Sequence, residues 1–161
     1  MNQHLSSVRA IFAELERQKS APETLRCALE HGALQLLNSA YLCQLRAIAD
    51  SYRCGNIAAI SDAPALQEAL AIIDRPAPEA AEIDVLISEG WLGALLEAHR
   101  QLCLPALCQV VKPLASVASQ SDVALWNDDP KEPGVNVEKL QDWLLALEEL
   151  VQRQSDMMVE Y

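Results

Sequence analysis

Two pairs of side chains in this chain have the spacing at which chemistry is built on a helix. Cys27 and His31, and again His99 and Cys103, stand four residues apart, so each pair shares one helical face. Brought together across a bundle, the four would make a tetrahedral Cys2His2 zinc set, a chemically sound one. The competing reading is structural: a Cys in an apolar helix is a small core residue, and His99 on a leucine-rich stripe is a buried imidazole with one hydrogen-bond partner. Arg26 and His31 form a second constellation, with four residues between them. There the His can act as general acid or base while the Arg stabilises phosphate charge. Arg26 is also placed for an ordinary i,i+4 ion pair with Glu30.

Other signatures are missing from the sequence. It has no Glu-x-x-His pair for a di-metal bundle, no glycine-rich phosphate loop, no paired C-x-x-C and no nucleophile elbow. No motif calls for a cofactor, and isolated carboxylates such as Glu97 and Asp142 read as solvated faces. The tryptophans separate by position. Trp143 belongs to the apolar stripe of the last helix and reads as core, whereas Trp91, between Gly90 and Gly93, suits packing or pocket lining equally. Trp126 stands in an irregular stretch, where a large aromatic anchors either its own loop or a partner.

The elements that must position these groups are helices. Pro22 to Gly55 reads as one long helix about 50 Å in length, with Pro22 preorganised for its first turn and Gly55 for a left-handed stop. One of its apolar faces runs through Leu25, Leu29, Ala33, Leu36 and Ala40. The other follows Leu34, Leu37, Tyr41, Leu45, Ile48 and Tyr52, so neighbours must cover it on more than one side. A first helix, about Asn2 to Lys19, carries Leu5, Val8, Phe12 and Leu15 and should lie antiparallel beside it across a short joint. A third follows Asp62-Ala63-Pro64, a fourth spans about Glu79 to Ser88, and a fifth runs from Trp91 towards Pro105 with Leu92, Leu95, Leu96, His99, Leu102 and Cys103 as its stripe. From Pro113 to Gly134 the periodicity fails among Ser, Asp, Pro and Gly, interrupted only by Val123-Ala124-Leu125-Trp126. The last helix starts at the N-cap Asn136 and shows Leu140, Trp143, Leu144, Leu147, Leu150 and Val151.

Composition agrees. The 161 residues are a one-domain length, 51% hydrophobic, with Thr24 the only threonine and aromatics at 4%, so strand formers are scarce and an all-α fold follows. Against 12 Lys+Arg stand 23 Asp+Glu, a net charge of -11 that repels phosphate backbones and anionic lipid. Nucleic acid is thereby disfavoured as a partner. The acidic residues are spread over amphipathic faces instead of packed in blocks, which argues against mimicry of a nucleic acid. Five cysteines without disulfide-scaffold spacing read as reduced thiols, and the amino terminus lacks the pattern of a secretory leader, so a cytoplasmic location is expected. The least polar late stretch, Leu102 to Ala118, is broken by Pro105, Gln109, Lys112 and Pro113, which makes a membrane span unexpected.

Two resemblances add to this. The Arg26 to His31 spacing resembles the Arg-x4-6-His motif of HEPN ribonucleases, themselves helical bundles; it implies RNA cleavage with His31 as acid or base and Arg26 on phosphate. The residue after Arg26 is Cys27, where that family usually has a polar one. Over most of its length the chain also resembles a family of short all-helical proteins of unknown function from pseudomonads and related bacteria. The similar segments are Leu29-Glu30-His31-Gly32-Ala33-Leu34-Gln35-Leu36-Leu37 continuing to Ile48-Ala49-Asp50-Ser51-Tyr52-Arg53, then Trp91-Leu92-Gly93-Ala94-Leu95-Leu96, then Leu140-Gln141-Asp142-Trp143. That resemblance implies a compact bacterial bundle and no known activity.

The expectation is therefore a compact all-α bundle of five to six helices around the long second helix. Its expected role is that of a non-enzymatic cytosolic adaptor holding a protein partner, or a second copy of itself as a homodimer. A HEPN-like, RNA-cleaving or nucleic-acid-associated module is the alternative. A cleft holding Arg26 and His31 side by side would favour the enzyme; their burial or separation would favour the adaptor.

Overall fold

The computed structural model describes residues 3–18, 20–75, 77–104 and 135–159. Pro105, Cys108, the irregular stretch 113–134 and Trp126 within it lie outside the described residues. Six α-helices are present: α1 (Gln3–Arg17), α2 (Glu23–Ser51), α3 (Ala63–Ile72), α4 (Pro78–Ser88), α5 (Trp91–Cys103) and α6 (Val137–Val159), with a 3-10 turn at Ile57–Ala59. No strand occurs among the described residues. Nor is any described helix long and apolar enough to cross a membrane.

The helix α2 is the spine, its 29 residues corresponding to about 43 Å. Pro22 stands at its N-cap, with ψ 143°, instead of inside the first turn, and the left-handed residue that ends it is Arg53, at φ 58°, not Gly55. Arg53 donates its amide to the Asp50 carbonyl at 2.9 Å and Cys54 donates to Ala49 at 2.8 Å, which together make a Schellman closure. Burial explains why the stop falls early. Cys54, the residue after the turn, is buried in the same cluster as Ala49, so the closure is sealed by an apolar contact that continuing the helix would forfeit.

Two apolar clusters share this spine. Around its first half, Leu5, Val8, Phe12 and Leu15 of α1 meet Ala33, Leu34 and Leu37 of α2, Leu95 of α5, and Leu140, Trp143, Leu144, Leu147 and Leu150 of α6. Around its second half, Tyr41, Leu45, Ile48 and Ala49 meet Ile60, Leu66 and Leu70 near and on α3, Ala80 and Ile83 on α4, and Leu92 on α5. The stripe foreseen for α1 is thus core, and so is that of α6 with Trp143 in it, except for half-buried Val151 at the cluster's edge. Trp91, half-buried, packs against both clusters and ties the halves together.

Of the two faces drawn on α2, the one through Leu25 needs correcting. Leu25 is 39% exposed, and Leu29 and Leu36 are only half-buried, whereas Ala33 and Ala40 are core. No residue from Glu23 to His31 is buried, because α5 and α6 close over α2 only from Ala33 onward. The stripe expected on α5 is likewise buried at Leu92 and Leu95 and runs out to an exposed Cys103.

Caps and close approaches set the remaining geometry. Asp62 caps α3 by accepting the Ala65 amide at 2.8 Å, and Asn136 caps α6 by accepting the Lys139 amide at 2.9 Å. At the α4–α5 corner an added Cβ on Gly93 would stand 2.1 Å from the Ile87 carbonyl oxygen, so only glycine permits this approach. Farther along, α6 crosses α2 and α4 through a buried amide. Gln154 accepts from the Gln44 side chain at 2.9 Å and donates to the Glu79 carbonyl at 3.2 Å and the Glu82 carboxylate at 3.0 Å. Tyr52 donates to the buried Glu79 carboxylate at 2.8 Å, and no buried side-chain polar atom among the described residues lacks a partner.

Candidate functional site

The exposed first turns of α2 border a groove of ≈ 810 Å³ at one end of the bundle. Three elements build it. From α2 come Glu23, Arg26, Cys27, Glu30, His31 and Leu34; from α5 come Ala98, Gln101 and Leu102; from the start of α6 come Val135, Asn136, Val137 and Glu138. The arrangement follows from chain direction: the N-termini of α2 and α6 and the C-terminal turns of α5 meet at this end. Leu34, Ala98, Leu102, Val135 and Val137 give the groove an apolar floor continuous with the first cluster. Its rim is polar, with Glu23, Arg26, His31, Gln101, Asn136 and Glu138 all exposed.

Arg26 and His31 do line the same groove, but neither is presented as a catalytic pair would need. The Arg26 guanidinium lies 3.9 Å from the Glu30 carboxylate, the ordinary ion pair open to it in the sequence. The His31 ring faces its own helical neighbour, with Nε2 3.5 Å and Nδ1 4.0 Å from the Cys27 sulfur. Among the described residues the His31 ring has no other hydrogen-bond partner, and none of them fixes its tautomer for proton transfer.

The second His/Cys pair is differently employed. His99 points across the α2–α5 contact, its Nε2 2.8 Å from the Gln35 side-chain oxygen and 3.8 Å from the Cys103 sulfur. Partial burial holds the imidazole below its usual pKa, so it is neutral at pH 7 and donates Nε2–H to Gln35. Neither His99 nor Cys103 lines the groove. The four-ligand zinc set is not assembled: among the described residues no three His, Cys, Asp or Glu side chains converge to hold a metal ion. Each histidine instead serves a local contact on its own helix or the next.

The balance of charge in the groove is acidic. Glu23, Glu30 and Glu138 contribute three negative charges against one from Arg26. Lys139, next to Glu138, turns its ammonium over the Trp143 ring, 5.2 Å from the centroid, and does not line the groove. The neighbouring exposed face of α5 is closed on itself. Arg100 and Gln101 both bond the Glu97 carboxylate, which holds it at about 2, well below the usual carboxylate range.

Sequence reasoning did not foresee this groove, because no single stretch encodes it; three helix ends do. Its sequence trace is Leu34 and Leu102, apolar positions on two separate helical stripes that only the fold brings to one groove. Trp91 lies away from the groove, at the junction of the two clusters. The free thiols Cys27, Cys43, Cys54 and Cys103 are unbridged among the described residues, and burial raises the pKa of Cys54. Compared with known proteins, the chain matches no family model, no curated protein and no solved structure.

Proposed function

We propose that the protein is a non-catalytic helical adaptor that docks a protein partner in the groove between the start of α2, the end of α5 and the start of α6. One observation carries the reading: among the described residues, three helices bring Leu34, Ala98, Leu102, Val135 and Val137 together as the apolar floor of an open groove at one end of the bundle. Interface patches of this kind, apolar at the centre and polar at the rim, suit protein contact. The engagement of Arg26 with Glu30, and of His31 with Cys27, supports a binding role over proton transfer. The acidic groove and the net charge of -11 support a partner other than nucleic acid. Free thiols fit a reducing, cytoplasmic setting, and the similarity in segment order fits membership of the pseudomonad-type family. A second copy of the chain is one such partner.

The test is recovery of bound proteins by the tagged chain from its native host, beside Leu102→Glu and the rim variant Gln101→Arg. A partner retained by wild type and lost by both variants, at unchanged helicity, supports docking in the groove. A partner retained by both variants removes the groove from the function. The shared groove of Arg26 and His31 favours one second reading, an RNA-cleaving module. It predicts RNA cleavage that His31→Ala abolishes without loss of helicity, and no cleavage by wild type would dismiss it.

A further inference from the structure

Resting on the reading of this groove as a docking surface, we propose that its occupant is a short amphipathic helix bearing Lys or Arg along its flanks. Shape comes first. The groove follows α2 from Glu23 to Leu34, 11 residues along the helix, or about 16 Å and three turns. Its rim is exposed, so a small molecule would keep much of its surface in water, unlike the ligands of enclosed pockets. An extended peptide gains most of its affinity by pairing with a sheet edge, and no strand exists among the described residues. A helix satisfies its own backbone and offers an apolar stripe to the Leu34, Ala98, Leu102 floor.

Charge then selects the flanks. Glu23, Glu30 and Glu138 against Arg26 give −3 + 1 = −2. The N-termini of α2 and α6 add about +0.5 each and the C-terminus of α5 about −0.5, leaving roughly −1.5 in the groove. A phosphate or an acidic helix would bring its charges against three carboxylates, while a basic helix would meet partners on both walls: Glu23 and Glu30 on α2, Glu138 on α6. The field of the whole chain, at -11, acts in the same sense and would steer such a partner towards the protein.

The probes are three designed fluorescent helices of one length and one leucine stripe, with flanks of Lys, Gln or Glu, titrated with the full chain at low salt. The Lys helix should bind about ten-fold tighter than the Gln helix, and the Glu helix at least about ten-fold weaker than the Lys helix. Glu30→Gln with Glu138→Gln should cut the Lys preference to about two-fold and leave the Gln helix unaffected. Glu68→Gln with Glu89→Gln, on exposed residues outside the groove, separates the general field and should leave the preference intact. Equal binding of the Lys and Gln helices, both lost in Leu102→Glu, would overturn the basic partner while sparing the docking surface. A preference lowered equally by both double variants would also overturn it, tracing the effect to net charge alone. Binding of none of the three helices would overturn both readings.

Discussion

Replacing each of the two glycines inside described helices by alanine should move stability in opposite directions. Gly32 lies in the middle of α2, where a Cβ would stand 3.7 Å from the Ile11 methyl of α1, an ordinary contact. Alanine is favoured over glycine in a helix interior by about 1 kcal/mol, partly through the unfolded chain. Gly32→Ala should therefore gain about 0.5–1 kcal/mol, raising Tm by about 1–4 °C for a chain of this size. Gly93 has the same propensity to gain, but its Cβ would stand 2.1 Å from the Ile87 carbonyl oxygen and 3.2 Å from the carbonyl carbon. Both are backbone atoms, so relief requires the end of α4 and the start of α5 to part by more than an ångström. Overpacking of this kind costs about 1–3 kcal/mol, and a 2.1 Å approach to backbone belongs at the upper end of that range, so the net is a loss of about 2 kcal/mol. Thermal melts of the two single variants and the double, followed by helical circular dichroism, decide the matter. An added Cβ meets Ile11 at Gly32 and Ile87 at Gly93, with no neighbour in common, so the double should equal the sum within about 0.5 kcal/mol. A stabilised Gly93→Ala would mean that α4 and α5 do not approach as described, and a destabilised Gly32→Ala would deny the packing of α1 on α2.

Adjacent leucines on α2 should also part: Leu37→Ala, at a fully buried position, should cost about 2–5 kcal/mol, and half-buried Leu36→Ala clearly less, with equal urea midpoints refuting the register. Gln154→Leu should cost about 1–3 kcal/mol by stranding the buried Gln44 amide and the Glu79 carbonyl, and an unchanged midpoint would show that water satisfies them. The Tyr41 hydroxyl is pushed up to about 12, first by burial and then by the nearby Asp62 and Asp84 carboxylates. Because its folded pKa lies above the ordinary value near 10, the stability it contributes is complete below about pH 10 and lost as pH climbs through 12. Phenolate absorbance should show a late-titrating tyrosine that Tyr41→Phe removes; a late phase unchanged in that variant, or none in the wild type, would refute the burial of Tyr41. Under native alkylation Cys54 should react last among Cys27, Cys43, Cys54 and Cys103, being buried with a raised pKa, and exposed Cys103 ahead of it; mass mapping gives the order, and a fast Cys54 would refute the closure of α2.

The helices were legible in the sequence because each carries a stripe at helical period and a terminal signal that acts locally. Asp62 and Asn136 cap where their side chains can reach an amide three residues on, a property of the local chain alone. Arg53 was not legible as the left-handed stop, since glycine at position 55 has the better propensity and only the burial of Cys54 overrides it. The buried amides were hidden for a related reason. Gln44 and Gln154 each sit on an apolar stripe, and a glutamine there reads as an interruption until its partner on another helix is known.

What separates the groove from the motifs inside it is the difference between spacing and engagement. Residues three or four apart on a helix share a face whatever the rest of the chain does, so Arg26 with Glu30, Cys27 with Glu30, and Cys27 with His31 were bound to be neighbours. Chemistry needs more: a base whose tautomer a third group fixes, and a cation free to meet incoming charge. In the fold Glu30 answers Arg26, Cys27 is the partner nearest to His31, and the histidine that does have a fixed tautomer, His99, is held outside the groove by Gln35. The helix face that looked catalytic in one dimension thus becomes one wall of a surface in three. Its distinguishing property is supplied by α5 and α6, whose apolar ends no single-helix pattern could have announced.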